Sequence, residues 1–148
     1  MFYPIILGIH GYGMCIALLM LLASELLLVA ARRGHATPAR VALHASRCAG
    51  TLIPLGVLAG IVLFFAGGWP ITAWLIASLI LIALLIMVER RFVGPWQVRT
   101  RQVLKETVAS EDVRALARNT HALLGRVAML GLFGLVVLLM VVKPQVNF

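Results

Sequence analysis

The chain has 148 residues, of which 62% are hydrophobic and only 12% are charged, and its mean hydropathy is +1.04. A water-soluble domain carries about twice this charged fraction, and a chain of this length buries only about 70% of its surface on folding, so the composition excludes a water-soluble globule. The formal net charge of +8 would suggest nucleic acid as a partner, but these bases flank apolar segments, where they meet lipid headgroups. We therefore expect one compact domain, residues 1–148, with the lipid bilayer as partner and no nucleic acid.

The first half of the chain contains two apolar segments long enough to cross a membrane, which takes about 20 residues of helix. The first predicted span runs from Tyr3 to Ala31. The second runs from about Val41 to Ala66, and Pro38 is placed in the loop between them. A tight turn at residues 67–70, with Trp69 at the membrane interface, is expected to end the second span.

The third predicted span, Ile71 to Val88, is the most uniformly apolar one, and Glu89-Arg90-Arg91 closes it. Gly94-Pro95 is predicted to break the helix, because proline lacks the N–H that a helix interior needs. The following segment, Trp96 to Val108, mixes Val and Leu with basic residues. This mixture indicates a helical segment that lies along the cytoplasmic interface.

The fourth predicted span covers roughly Ala122 to Val142. Ser110 has the character of an N-cap residue, and a helix that starts there is expected to continue directly into this span.

The basic residues predict the orientation of the spans in the membrane. The second connection has no base and the C-terminal tail has only Lys143, whereas the first and third connections hold Arg32, Arg33, Arg40, Arg90, Arg91, Arg99, Arg101, Lys105, Arg114 and Arg118. Basic loops stay in the cytoplasm. The predicted fold is therefore an all-α, integral membrane four-helix bundle of the bacterial inner membrane, multi-pass, with both termini outside the cytoplasm.

Ionisable side chains inside the spans are costly and therefore indicate function or internal pairing. Glu25 lies about 33 Å along the first helix, near its inner end, and Arg47 and Arg126 enter the membrane from the same side. We predict that Glu25 pairs with Arg47 or Arg126. Two interpretations stay open: an ion pair that holds helices together, and arginines that grip a buried anion such as a carboxylate or propionate.

A second group of polar residues lies on the second helix. His44, Arg47, Cys48 and Thr51 share one helix face by their i, i+3, i+4, i+7 spacing. We expect this stripe to face the interior of the bundle. His44 and His121 are then candidates for a second, inner cofactor site.

His10 lies in the outer half of the first span, about 10 Å along the helix from Tyr3, among Gly8, Gly11 and Gly13. The glycines leave room beside it for another helix or a flat cofactor. A neutral His is a ligand for haem iron or copper, with Met14 or Met140 as candidate partners. The alternative is a His that hydrogen-bonds to a neighbouring helix.

Three short motifs occur in span order along the chain. They are the early His10, the segment Arg47-Cys48-Ala49-Gly50-Thr51-Leu52-Ile53-Pro54 followed by Gly60, and a fourth span that ends Val141-Val142-Lys143-Pro144. In these motifs the chain resembles the HemJ and copper-resistance-D-like superfamily of small four-helix bacterial membrane proteins, which also holds uncharacterised branches. HemJ proteins are protoporphyrinogen oxidases that bind b-type haem, so the resemblance implies haem b as cofactor and His10 as its ligand. Their third span carries a Lys, where this chain has Trp74 and apolar neighbours.

Two functional classes follow from the sequence. The first is a redox protein that binds haem or porphyrin, with His10, Met14, His44, Arg47, His121 and Arg126 as candidate cofactor-binding residues. The second is a non-enzymatic membrane component, either a small transporter or an accessory subunit of a larger complex. A membrane redox partner or a homo-oligomer is compatible with both classes.

Overall fold

A computed structural model describes residues 2–33, 35–68, 70–106 and 110–142. The predictions for Trp69, Lys143 and the Ser110 side chain lie outside what it describes. Within these ranges the chain is helical and contains no strand. The elements are α1 Tyr3–Ala31, α2 Ala36–Gly67, α3 Ala73–Val88, a π-helical turn Glu89–Val93, α4 Gly94–Glu106, α5 Ser110–Ala117 and α6 Thr120–Val142.

The described chain has four helices that are long and apolar enough to cross a membrane, as predicted. The first has the predicted bounds, Tyr3–Ala31. The second begins earlier than expected, at Ala36, so Pro38 lies in its first turn and not in a loop. Proline is tolerated there because the first N–H groups of a helix have no partner within the helix.

The predicted break at Gly94-Pro95 is wrong, because the third helix continues through it as one stretch, Ala73–Lys105. The π-helical turn Glu89–Val93 precedes the proline, and the Gly94 N–H bonds to the carbonyl of Glu89 in the wider i+5 pattern. In this wider turn the proline ring and its missing N–H are accommodated without ending the helix. Residues 94–106 therefore extend the third helix, and Trp96, Thr100 and Leu104 are buried along one of their faces.

The predicted continuous helix from Ser110 into the fourth span is also wrong. A turn at Arg118 and Asn119 separates α5 from α6. The Asn119 side-chain oxygen accepts a hydrogen bond from the Ala122 N–H at 3.1 Å. This is the N-cap arrangement in which a side chain satisfies a first-turn donor of the new helix, so Asn119 starts α6.

The four long helices form two antiparallel pairs. α1 packs on α2 along its length, α3 packs on α6, and α1 also contacts α6 to join the pairs. The largest core cluster lies where these contacts meet and consists of Met14, Ala17, Leu21, Ala49, Ile53, Leu85, Val93, Met129 and Phe133. We call the end where α1 begins and α6 ends the terminal end, and the opposite, arginine-rich end the basic end.

Gly125 is the point of closest approach between α6 and the π-helical turn. A Cβ atom there would overlap the Cβ of Phe92 and approach its backbone Cα at 3.6 Å. Phe92 cannot move these atoms away without shifting its helix. Close approach through small residues is how helices pack in lipid.

Gly125→Ala is therefore expected to destabilise the protein by about 1–3 kcal/mol, the usual cost of overpacking a tight site. Gly131→Ala, on the same helix, is the matched control, because a Cβ at Gly131 meets nothing within 4 Å. Thermal unfolding in detergent measures both. Equal melting temperatures for the two variants would show that the Gly125 contact does not limit helix packing.

Candidate functional site

A cavity of about 550 Å³ lies between all four spans at the terminal end. We call it the His10 cavity. Its walls include Met14 from α1, Gly60 from α2, Trp74 from α3 and Met140 from α6. Its volume falls within the 300–1,000 Å³ typical of small-molecule sites, which are concave and mostly apolar. None of the residues described as lining it is charged.

His10 is held in the wall of this cavity by a hydrogen bond to α2, so the predicted alternative, a His bonded to a neighbouring helix, is confirmed. Its Nδ1 lies 2.7 Å from the carbonyl oxygen of Gly56. A carbonyl oxygen only accepts, so Nδ1 carries the hydrogen, and in the neutral ring Nε2 then keeps its lone pair. Metal-binding histidines almost always donate their other ring N–H in this way, to a carbonyl or carboxylate.

Gly60 provides the space for the imidazole. A Cβ atom at Gly60 would lie 3.0 Å from Cε1 of His10 and 3.4 Å from its Nδ1, closer than side chains normally approach. The ring therefore packs directly on the backbone of α2. Sequence reasoning attributed the space to Gly8, Gly11 and Gly13 on the helix of His10, but the glycines that contact the ring are on α2.

Two methionines line the same cavity as His10. Met14, one turn further along α1, is buried against Gly56, and Met140 of α6 also lines the cavity. The structure thus brings both predicted partner residues to the same site as His10. Thioethers are soft ligands that suit iron in haem and Cu(I).

At the basic-end side of the core, Glu25 and Arg126 form an ion pair. Arg126 Nε donates to Glu25 Oε1 at 2.7 Å, with Arg126 only 5% and Glu25 21% exposed. The guanidinium also lies 4.3 Å from the ring centroid of Trp96, where the ring face attracts a cation. These three residues form what we call the Arg126 cluster. Of the two predicted partners for Glu25, the structure confirms Arg126.

Beside this cluster is a void of about 10 Å³, lined in part by Ser24, Ser46 and Arg126. Nη1 of Arg126 is buried and has no hydrogen-bond partner among the described residues. A void of this size matches one water molecule and has no room for a carboxylate or propionate. The packing therefore favours the ion-pair interpretation of Arg126 over the gripping of an anion.

The predicted orientation of the polar stripe on α2 is wrong. His44, Arg47, Cys48 and Thr51 do share a face, but all four are exposed on the outside of the bundle. The opposite face of α2 carries its buried residues, which are small or aliphatic: Ala39, Ala42, Leu43, Ser46, Ala49, Ile53 and Gly56. These small residues pack tightly on α1, so the polar face of α2 lies on the outside of the bundle.

The structure does not bring the remaining candidate residues into a site. His44 donates Nδ1–H to the carbonyl of Arg40 at 2.9 Å, and His121 is exposed in the first turn of α6. Neither lines the His10 cavity. Among the described residues no three His, Cys, Asp or Glu side chains are grouped as a metal ion would require. The predicted second, inner site stays a prediction.

Sequence reasoning did not assign Trp96 and Ser78 to any site. Trp96 lies under Arg126 and donates its indole N–H to the carbonyl of Leu116 at 3.1 Å. Ser78 is buried in the cavity wall and donates to the carbonyl of Trp74 at 2.8 Å. The sequence features that could have pointed to them are a Trp directly after the basic end of an apolar segment and a Ser inside one. No family model, no curated protein and no solved structure matches this chain.

The ion pair leads to a stability prediction. Glu25→Gln and Arg126→Gln should each destabilise the protein by about 3 kcal/mol or more, because each leaves a buried charge without its partner. Arg47→Gln is the matched control, since Arg47 is exposed and bonded to none of the described residues. Melting temperatures in detergent test this. If all three variants melted like the unmodified protein, the pair would contribute nothing.

Proposed function

We propose that this chain is an integral membrane protein that binds haem b or a related porphyrin in the His10 cavity, and that His10 would hold its metal. The observation that carries the proposal is the 2.7 Å bond from His10 Nδ1 to the Gly56 carbonyl. It fixes the tautomer and leaves Nε2 as a lone-pair donor on the wall of a large apolar cavity.

The residues present fit such a group. A planar macrocycle requires a broad apolar cavity, and about 550 Å³ is present with only apolar and neutral polar side chains around it. Met14 and Met140 also line the cavity, and their thioethers could contribute to holding a metal there. None of the described lining residues is cationic, so the cavity would hold the macrocycle by its apolar walls and His10, without an ion pair to the propionates.

The tautomer of His10 also distinguishes between ligand classes. A quinone offers carbonyl oxygens, which need hydrogen-bond donors, whereas Nε2 of His10 accepts. A metal centre needs the lone pair that Nε2 retains. Bound haem would supply one-electron redox chemistry. The protein would hold the group in place, and the apolar walls of the cavity would exclude water from it.

The proposed role of His10 as a ligand of the metal predicts a spectroscopic result. Protein produced with haem available should show a Soret band, and His10→Ala should remove or shift that band while the protein still folds. His44→Ala and His35→Ala should leave the spectrum unchanged, because both side chains are exposed and outside the cavity. Absorption spectra of the purified variants, with melting temperatures to confirm folding, measure this. Unmodified protein that binds no chromophore after haem supplementation would contradict the proposal.

We further propose that the protein lies in a bacterial inner membrane with both termini outside the cytoplasm. Supporting this orientation, Arg32, Arg40, Arg101 and Lys105 all lie at the basic end of the four apolar helices, and loops rich in Arg and Lys are retained in the cytoplasm. The His10 cavity would then open toward the periplasmic side.

Reporter fusions test the orientation in bacterial cells. Alkaline phosphatase, which is active only outside the cytoplasm, should be active when fused after Phe148. The same enzyme inserted beside Arg99 should be inactive, because that region belongs to the basic end. The reverse pattern of activities would invert the topology without affecting the helix packing described above.

A further inference from the structure

Four polar side chains from three helices line the small void beside the Arg126 cluster. They are Ser24 and Glu25 of α1, Ser46 of α2 and Arg126 of α6, and the other residues described as lining the void are apolar. Ser24 is 2%, Ser46 7% and Arg126 5% exposed, so bulk water does not satisfy these groups. Buried polar groups are nearly always hydrogen-bonded, either to the protein or to an ordered water molecule.

Two of the four side chains have a hydrogen to donate. Nη1 of Arg126 is buried and has no hydrogen-bond partner among the described residues, and a guanidinium nitrogen acts only as a donor. Ser46 Oγ accepts a hydrogen bond from the Gln97 amide at 2.7 Å. That bond uses a lone pair of the Ser46 hydroxyl group and leaves its hydrogen free to be donated.

The other two side chains have lone pairs to offer. Ser24 Oγ donates its hydrogen to the carbonyl of Leu21 at 2.8 Å, so its own lone pairs remain. Glu25 accepts one hydrogen bond from Arg126 Nε at 2.7 Å, and an ionised carboxylate accepts several. The void is therefore lined by two donors and two acceptors.

The size and the charge balance of the void determine what fits in it. Its volume of about 10 Å³ is close to the roughly 10–15 Å³ that one water molecule needs. A halide ion only accepts hydrogen bonds, so it would be placed against the lone pairs of Ser24 and the charge of Glu25. A cation would be repelled by Arg126. Because Glu25 already balances the charge of Arg126, a neutral molecule that both donates and accepts fits best.

We propose that one water molecule is bound in this void as part of the structure. It accepts hydrogen bonds from Arg126 Nη1 and Ser46 Oγ and donates to Ser24 Oγ and the Glu25 carboxylate. The water extends the Arg126 cluster to α2, a helix that contributes no residue to the cluster itself. A chain of hydrogen bonds then runs from Gln97 through Ser46 and the water to Arg126 and Glu25, and it joins all four long helices. A buried polar network in which every member is satisfied fixes one arrangement of its helices.

A crystal structure of the unmodified protein tests the occupant directly. The crystals are grown with chloride present, and data are collected at a wavelength at which chloride scatters anomalously. We expect one peak of electron density within hydrogen-bond distance of Arg126 Nη1, Ser46 Oγ and Ser24 Oγ, with no anomalous signal. An anomalous peak would make this an anion site and overturn the proposal. A void without density, or an Arg126 Nη1 bonded directly to a protein acceptor, would also overturn it.

Ser24→Ala tests the bond from the water to Ser24 by its effect on stability. Ser78→Ala is the matched control, because both serines are 2% exposed and each donates to a carbonyl of its own helix at 2.8 Å. Ser78 lines the His10 cavity and not the void. Ser24→Ala should melt about 2–4 °C below Ser78→Ala, the shift expected from one further lost hydrogen bond in a protein of this size. Equal melting temperatures of the two variants would contradict the four-partner site.

Discussion

The pairing of Arg126 with Glu25 is the constraint on which the arrangement of the helices depends. A guanidinium that is 5% exposed is shielded from bulk water, so its charged and aromatic partners must come from the protein itself. Glu25 supplies them from α1 and Trp96 from α4, while Arg126 lies on α6. The relative positions of these three helices are therefore coupled through one side chain, within a bundle whose core is otherwise built mainly of non-directional apolar contacts.

The π-helical turn positions one member of this cluster, Trp96. Each extra residue in a helix turn rotates the following side chains by about 100°, so the wide turn Glu89–Val93 changes the face on which Trp96 emerges. With the wide turn in place, Trp96 lies under Arg126 and Gln97 reaches Ser46 at 2.7 Å. Proline at position 95 favours such a turn because it cannot complete a regular α-helical hydrogen bond. Pro95, which sequence reasoning treats as the end of a helix, thus accompanies a change in the face on which the later side chains of the same helix lie.

Much of the fold, and part of the site, could be predicted from the sequence for identifiable reasons. The bounds of α1 follow from a long apolar run in which His10 and Glu25 are the ionisable residues, and the Glu25 pair follows from the cost of an isolated charge in lipid. Helical spacing placed His44, Arg47 and Thr51 on one face, but spacing alone does not say which way a face points. That is decided by shape, because the small residues Ala49 and Gly56 allow α1 to approach on the other side. Asn119 was missed because a single capping hydrogen bond has only a weak signature in the sequence.

The same close approach explains why a large cavity exists in so small a protein. Gly56 and Gly60 bring the backbone of α2 against α1, near enough for His10 Nδ1 to reach the Gly56 carbonyl. With its small face committed to α1, α2 makes no extensive contact with α3, and the space between them is bounded by long apolar side chains such as Phe64 and Leu79. A Cβ atom at Gly56 would overlap the Met14 side chain, and one at Gly60 would crowd the His10 ring. The tautomer of His10 and the cavity beside it therefore both follow from the close packing of α2 on α1. In this packing, glycines on α2 position a side chain carried by α1.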